Sequence, residues 1–516
     1  MTNFVKTNSI QTCGNVGLNN KQKKIETTLS LKNAKTVLSV SACPYVEKTE
    51  IENKHVRVDG VVNFKVLYID QENNNGLLDF KTGFSDTLEI ASNGAKFVSL
   101  AQANLLEIES KSVGEEELQV LVLVDIKACV FGLDDSTYVE ASESSGLCML
   151  PSQTMLSTVA SSLNPRFNYT VQVELGKNVA RVVDTNAALS LIDVFVEKDK
   201  AVLTFQLDSS ILFESSGDEI ALKNFEHSQE FRQEFALQNA EGELGCVGVA
   251  ELLFEQIKVV CENSGDEMNV QIDYPIQANC IVFEHKTVST LADAYSETHD
   301  ISITTASQGL LGLQGFYKFS DKIDSNLVIE KEYQSIEKII SHLSDNVVIT
   351  KAFAETDQVI LEGIAYTNIV YENFDQSTTQ KGNTSIIAEL PFSFRLNAKG
   401  AQTGDIVYAS AIVGDIDARV KRASEIDVIA TIRSQMFIMR NLTTTLVSEL
   451  TVQGEKPQNE NGLSIYVVEP GKAMWDVAKQ LSVPMELIAA QNASMSLPSE
   501  KTEKVVVYRQ KIMEVE

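Results

Sequence analysis

The feature that most constrains this chain is a two-residue alternation of apolar and polar side chains, written three times along it. Val56, Val58, Gly60, Val62, Phe64, Val66 and Tyr68 fall on alternate positions, with Arg57, Asp59, Asn63 and Lys65 between them. Successive side chains of a strand point to opposite faces, so the pattern predicts a strand with one set buried and the other in water. Polar Gln71 to Gly76 predicts a turn, and Val120, Val122, Val124, Ile126, Ala128 and Val130 a second strand. In the middle third, Leu203, Phe205, Leu207, Ile211 and Phe213 precede a turn at Ser215-Ser216-Gly217-Asp218. Met268 to Val282 then alternates, with Asn269, Gln271, Asp273 and Gln277 expected outward. In the last third, Val359, Leu361, Gly363, Ala365, Ile369 and Tyr371 lead to an expected turn at Glu372 to Asp375, and Ile426 to Ile438 alternates after it.

The first strands overlay. Gly60 and Tyr68 share the spacing of Gly363 and Tyr371, and Phe205 and Phe213 repeat it in the middle copy. The interval between copies is too long for a solenoid unit and predicts whole domains. The glycine is expected to leave room for a neighbouring side chain, and the aromatic to fill core. The predicted fold is mainly β: three tandem β-rich domains over 1–155, 156–305 and 306–451, a linker over 452–462, and a small α/β module over 463–516.

That module has its own grammar. Ser464 to Val468 predicts a strand and Pro470-Gly471 a turn. Met474, Val477, Ala478 and Leu481 recur at helical steps and predict one apolar helix face. Pro484 suits the first turn of a second helix, Met485 to Gln491, which stops at Asn492; Lys504 to Tyr508 is the closing strand.

The chain has 71 acidic against 43 basic residues, a net charge of −28. Such a polyanion repels phosphate backbones and anionic membrane faces, which argues against nucleic acid as a partner. Lys21, Lys23 and Lys24 form the one basic cluster and read as a solvated tail. Met1 to Ile10 lacks the apolar core of a secretion signal, which predicts a cytoplasmic protein. Val120 to Leu133, broken by Asp125 and Lys127, is too short and charged to span a bilayer. The seven cysteines are scattered and read as small buried hydrophobes rather than metal ligands or disulfides.

No catalytic, cofactor-binding or metal residues are expected, and the chain reads as a non-enzyme. Gly471-Lys472 lacks the rest of a phosphate loop. His55, His227, His285, His299 and His342 show no paired spacing; His299-Asp300 reads as a solvated loop. Gly114 to Glu117 and Asp134-Asp135 read as exposed turns rather than calcium loops.

Two resemblances sharpen these expectations. The strand ending Val66-Leu67-Tyr68, together with Gly83-Phe84-Ser85, Asp293-Ala294-Tyr295-Ser296 and Leu390-Pro391-Phe392-Ser393, resembles the SPOCS domain of spore-forming Firmicutes. The middle copy, with Phe205 for the glycine, departs most. Tyr466 to Gly471, Met474-Trp475-Asp476-Val477-Ala478 and Ala490-Gln491-Asn492 resemble a LysM domain. The family's acidic residue and hydroxyl after the Pro-Gly turn are replaced by Lys472 and Ala473, and its Pro-Gly-Gln by Glu500 to Glu503. SPOCS repeats followed by LysM resemble spore-coat morphogenetic proteins. The resemblance implies a mother-cell scaffold at the forespore surface that binds a coat-basement morphogenetic ATPase (SpoIVA-like) and other coat proteins. The alternative partner is peptidoglycan, the usual LysM ligand. The expected binding residues are Pro470, Gly471, Lys472, Trp475, Asp476, Lys479, Gln491 and Asn492, with core packing as the plainer role for Trp475.

Overall fold

The computed structural model describes residues 6–509, apart from residues 53, 91–93, 114–115, 142–145, 198, 217–220, 238–242, 265–266, 330–333, 376–379 and 458–461. It is mainly β, as the alternation predicts. The strands fall into three sets with one shared plan.

The first unit comprises β1 (Lys6–Ser30), β2 (Ala34–Glu52), β3 (His55–Asp70), β4 (Asn75–Glu89), β5 (Lys96–Val113) and β6 (Glu117–Glu140). They form two three-stranded antiparallel sheets, ordered β2-β3-β4 and β1-β6-β5. The second comprises β7 (Leu147–Leu163), β8 (Arg166–Lys177), β9 (Val179–Glu197), β10 (Lys200–Ser215), β11 (Leu222–Ala236), β12 (Glu243–Leu252), β13 (Lys258–Ser264) and β14 (Glu267–Ser296). Here β9-β10-β11 is the meander, and β14 pairs with β7 and β8 along one edge and β12 and β13 along the other. Pro165, which cannot donate to a ladder, sits where the first edge breaks. The third comprises β15 (His299–Val328), β16 (Gln334–Glu355), β17 (Gln358–Asp375), β18 (Gln380–Asn397), β19 (Ile406–Arg422) and β20 (Glu425–Glu455), in sheets β16-β17-β18 and β15-β20-β19.

Within each unit the alternating faces of the two sheets pack on each other. In the first, Val56, Val58, Val62 and Phe64 of β3 join Val120, Val122, Val124 and Ile126 of β6 in one core. The overlaid glycines carry out the predicted task. Phe84 lies opposite Gly60, and Phe392 opposite Gly363. A Cβ on Gly60 would come 2.5 Å from the Tyr45 carbonyl and strike the Phe84 ring; one on Gly363 would come 2.5 Å from the Val348 carbonyl and 2.6 Å from Phe392 Cζ. In the second unit Phe205 faces Phe231 instead, their rings stacked at 5.1 Å.

The units close on one another. Phe131, Phe283 and Phe437, one from each, meet in a shared cluster. Leu67, Leu212 and Val370 meet in a second. Polar bridges complete the ring: Lys65 to Asp184 at 2.7 Å between units one and two, His342 to Glu226 at 3.2 Å between two and three, and Asn346 to the Leu105 carbonyl at 2.9 Å between three and one.

This closure corrects several expectations. Asn63 and Gln277, assigned to water by alternation, are 3 % and 1 % exposed, because the second face of their strands looks into the neighbouring units. Val120 to Leu133 is the middle of β6, covered on both faces, which explains its apolarity on either side of Asp125 and Lys127. Asp134 and Asp135 lie inside β6 rather than in a turn. Glu372 to Asp375 continues β17, because the hairpin stays paired, with Lys381 and Glu372 3.0 Å apart across it. The turn at 215–218 and the acidic run at 114–117 fall partly outside the described residues. His299 begins β15 instead of lying in a loop, its Nδ1 2.8 Å from the Thr298 hydroxyl. Strands end at Glu140 and Ser296, and β20 runs as far as Glu455. Cys246 and Cys280, far apart in sequence, bring their free thiols to 2.8 Å in the second unit's core.

The C-terminal module is β21 (Gly462–Val468), α1 (Met474–Leu481), α2 (Met485–Gln491) and β22 (Glu503–Arg509), the two strands pairing antiparallel. Among the described residues no helix is long and apolar enough to cross a membrane.

Candidate functional site

Two places gather functional side chains: the C-terminal module and the centre of the ring. In the module, Gly471 adopts a left-handed φ of 84° that favours glycine, and its N–H donates to the Ser499 carbonyl at 2.8 Å. This fixes the Pro470-Gly471 turn. Lys472 lies 3.8 Å from Glu469 on the surface. Asp476 accepts from the Ala473 N–H at 3.1 Å, satisfying a donor at the start of α1.

Trp475 and Lys479 face the second unit. The Trp475 indole N–H donates to Asp293 at 2.9 Å, and the Lys479 ammonium approaches both Asp293 oxygens at 2.7 Å. Burial opposes the Asp293 charge, but these donors outweigh it and lower the carboxyl pKa. Tyr295 packs edge-on against Trp475 at 4.9 Å and donates its hydroxyl to the Val483 carbonyl at 2.7 Å. Asp293-Ala294-Tyr295-Ser296, a repeat motif in the sequence, is thus the seat of the module.

Gln491 and Asn492 are committed as well. Asn492 accepts from the Val506 N–H at 2.9 Å and donates to its carbonyl at 2.8 Å; Gln491 does the same for Tyr508 at 2.7 and 2.9 Å. The two amides pair the outer edge of β22 as a further strand would. What remains open is a face the sequence reading did not single out. Tyr466 and Val468 of β21 turn inward to the helices, while Leu463, Ile465 and Val467 turn outward at 64, 63 and 51 % exposure, beside Val506 and Tyr508 of β22. The signal lay in Leu463 to Val468. A strand apolar on both sides, in a two-stranded sheet with helices on one face, leaves an apolar face uncovered.

At the ring centre lies a cavity of about 1450 Å3 lined by all three units. His342 is held there by Asp345 at 2.7 Å and Glu226 at 3.2 Å. Burial works against its charge, but the two carboxylates outweigh that and push its pKa up to about 10. No spacing in the sequence signalled this, since Glu226 and His342 sit in different units. Arg433 reaches Asp208 of the second unit. Glu251, buried, accepts from the backbone N–H groups of Val46 at 2.9 Å and Ala103 at 3.2 Å; burial drives its carboxyl up to about 8 against those bonds. Among the described residues no cluster of metal-ligating side chains is found.

Comparison with known families matches residues 33–109 and 335–421 to the model described as SipL, SPOCS domain. The chain carries SPOCS domains. The matched segments run from β2 into β5 and from β16 into β19, and each contains the glycine-under-phenylalanine pair. SPOCS architecture here therefore includes the meander sheet and the first strand returning to the second sheet. The middle unit has the same meander order without a match. No curated protein matches, and no solved structure matches.

Proposed function

We propose that this SPOCS protein is a non-enzymatic spore-coat assembly adaptor. Its ring of three units is the scaffold. Its C-terminal module, a LysM-like fold, docks the coat-basement ATPase at the forespore surface in the mother-cell cytoplasm. The observation that carries the reading is the module's open apolar face of Leu463, Ile465, Val467, Val506 and Tyr508. Burying one such side chain contributes about 1.5–3 kcal/mol, so five together suit a protein interface. A sugar groove needs convergent polar groups, yet Gln491 and Asn492 commit their amides to β22 and Lys479 is drawn to Asp293. Both observations favour protein over peptidoglycan.

The cavity's ionisable groups support a structural role. Both His342 nitrogens face carboxylates, and a pKa of about 10 keeps the ring protonated, unable to act as a base at neutral pH. Both Glu251 oxygens are held by backbone donors.

The test uses the full chain, captured in parallel on immobilised coat-basement ATPase and on insoluble peptidoglycan. The expected result is capture by the ATPase, weakened at least about tenfold by Ile465→Asp on the open face. Undiminished capture of the variant would sink the assignment. Capture by peptidoglycan alone would establish the glycan reading instead.

A further inference from the structure

We infer that the open cavity lined by the three units is a receptor for a polypeptide segment carrying lysine or arginine among aliphatic side chains. The inference is independent of the module's partner. The volume comes first. About 1450 Å3 exceeds the roughly 300–1,000 Å3 of ordinary small-molecule sites, so a stretch of chain fills it better than a metabolite.

Charge comes second. The carboxylates that join the units are neutralised in place, Asp208 by Arg433 and Glu226 and Asp345 by His342. Glu107, Glu389 and Asp415 also line the cavity, are exposed, and have no cationic partner among the described residues. Glu389 lies directly across from Tyr366 on the neighbouring strand. Burial together with the charges of Glu389 and Glu107 raises the Tyr366 phenol pKa. Two carboxylates flanking an aromatic ring suit an ammonium or guanidinium group, by ion pairing and by contact with the ring face.

The walls supply an apolar feature as well. Ile387 is 63 % exposed and lines the cavity beside Ile386 and Ile412, an apolar surface for aliphatic side chains. The net charge of −28 adds long-range attraction for a basic segment.

The probe is a fluorescent peptide of about ten residues alternating Lys and Leu, titrated by anisotropy with the full chain at about 0.15 M salt. Three variants of the experiment decide the matter. The triple variant Glu107→Gln, Glu389→Gln, Asp415→Asn should bind at least about tenfold more weakly. A remote triple of exposed carboxylates, Glu262→Gln, Glu449→Gln and Glu500→Gln, removes the same charge and should bind like the wild type. Spermine should fail to displace the peptide at equal concentration. Equal weakening of the two triples would reduce the effect to net charge and overturn the proposal. Absence of wild-type binding would overturn it too, and displacement by spermine would replace the segment with a small polyamine.

Discussion

The outer units place a glycine of the central meander strand beneath a phenylalanine, whereas the middle unit fills the same point with two stacked phenylalanines. Gly60 lies under Phe84 and Gly363 under Phe392, each so close that a Cβ would meet a ring and a carbonyl. At the corresponding place Phe205 stacks on Phe231, which in turn lies 3.7 Å from Tyr169. The meander order is the same in all three, and each unit's last long strand is central in its second sheet. The comparison teaches that the architecture specifies a filled volume at this crossing and leaves open which strand provides the ring. Cores accept such exchanges when total volume and pattern are kept. The family match covers the two glycine-type units and passes over the third.

The comparison can be broken by exchanging the solutions. The largest effect is expected for Phe205→Ala. It removes a fully buried ring from the middle core and should cost about 4 kcal/mol, read as a lowered midpoint of denaturant unfolding. Gly363→Val comes next, at about 2–3 kcal/mol from overpacking against the Val348 carbonyl and Phe392. A Gly363→Val protein as stable as the wild type would show that the close approach does not constrain the outer units.

The smallest effect concerns how the units are joined rather than how each is filled. His342→Ala should lower stability by about 2 kcal/mol at neutral pH, since it leaves Asp345 and the half-exposed Glu226 without their shared donor. The sign of the pH dependence sharpens this. The folded-state pKa of about 10 lies above the ordinary 6.5, so the folded protein holds the proton more tightly. The contribution is full below about 6.5 and is lost as pH rises through about 10. Wild-type stability should therefore decline over that window. In His342→Ala that part of the decline should be missing when melting temperature is followed against pH.

Much of the architecture was legible beforehand because strand and helix periodicities are local. Val56 to Tyr68, Met268 to Val282 and Val359 to Tyr371 each announce one apolar face, and each is a strand. Met474 to Leu481 and Met485 to Gln491 are helices where their spacing and Pro484 put them. The glycine spacing signalled room for a neighbour, and a neighbour's ring fills it.

What only the tertiary structure decided is what lies against the other faces. Alternation reports that one side of a strand meets water or protein and does not say which; Asn63, Lys65 and Gln277 look solvated in sequence yet lie against neighbouring units. Trp475 reads as a core residue of its own module, and its indole also reaches Asp293, in another unit. His342 looks isolated until the ring brings Glu226 to it. Two residues far apart in sequence meet only after the chain closes on itself, so their pairing leaves no periodic trace. The central cavity belongs to the same class. Its walls come from three units, and no stretch of sequence contains it.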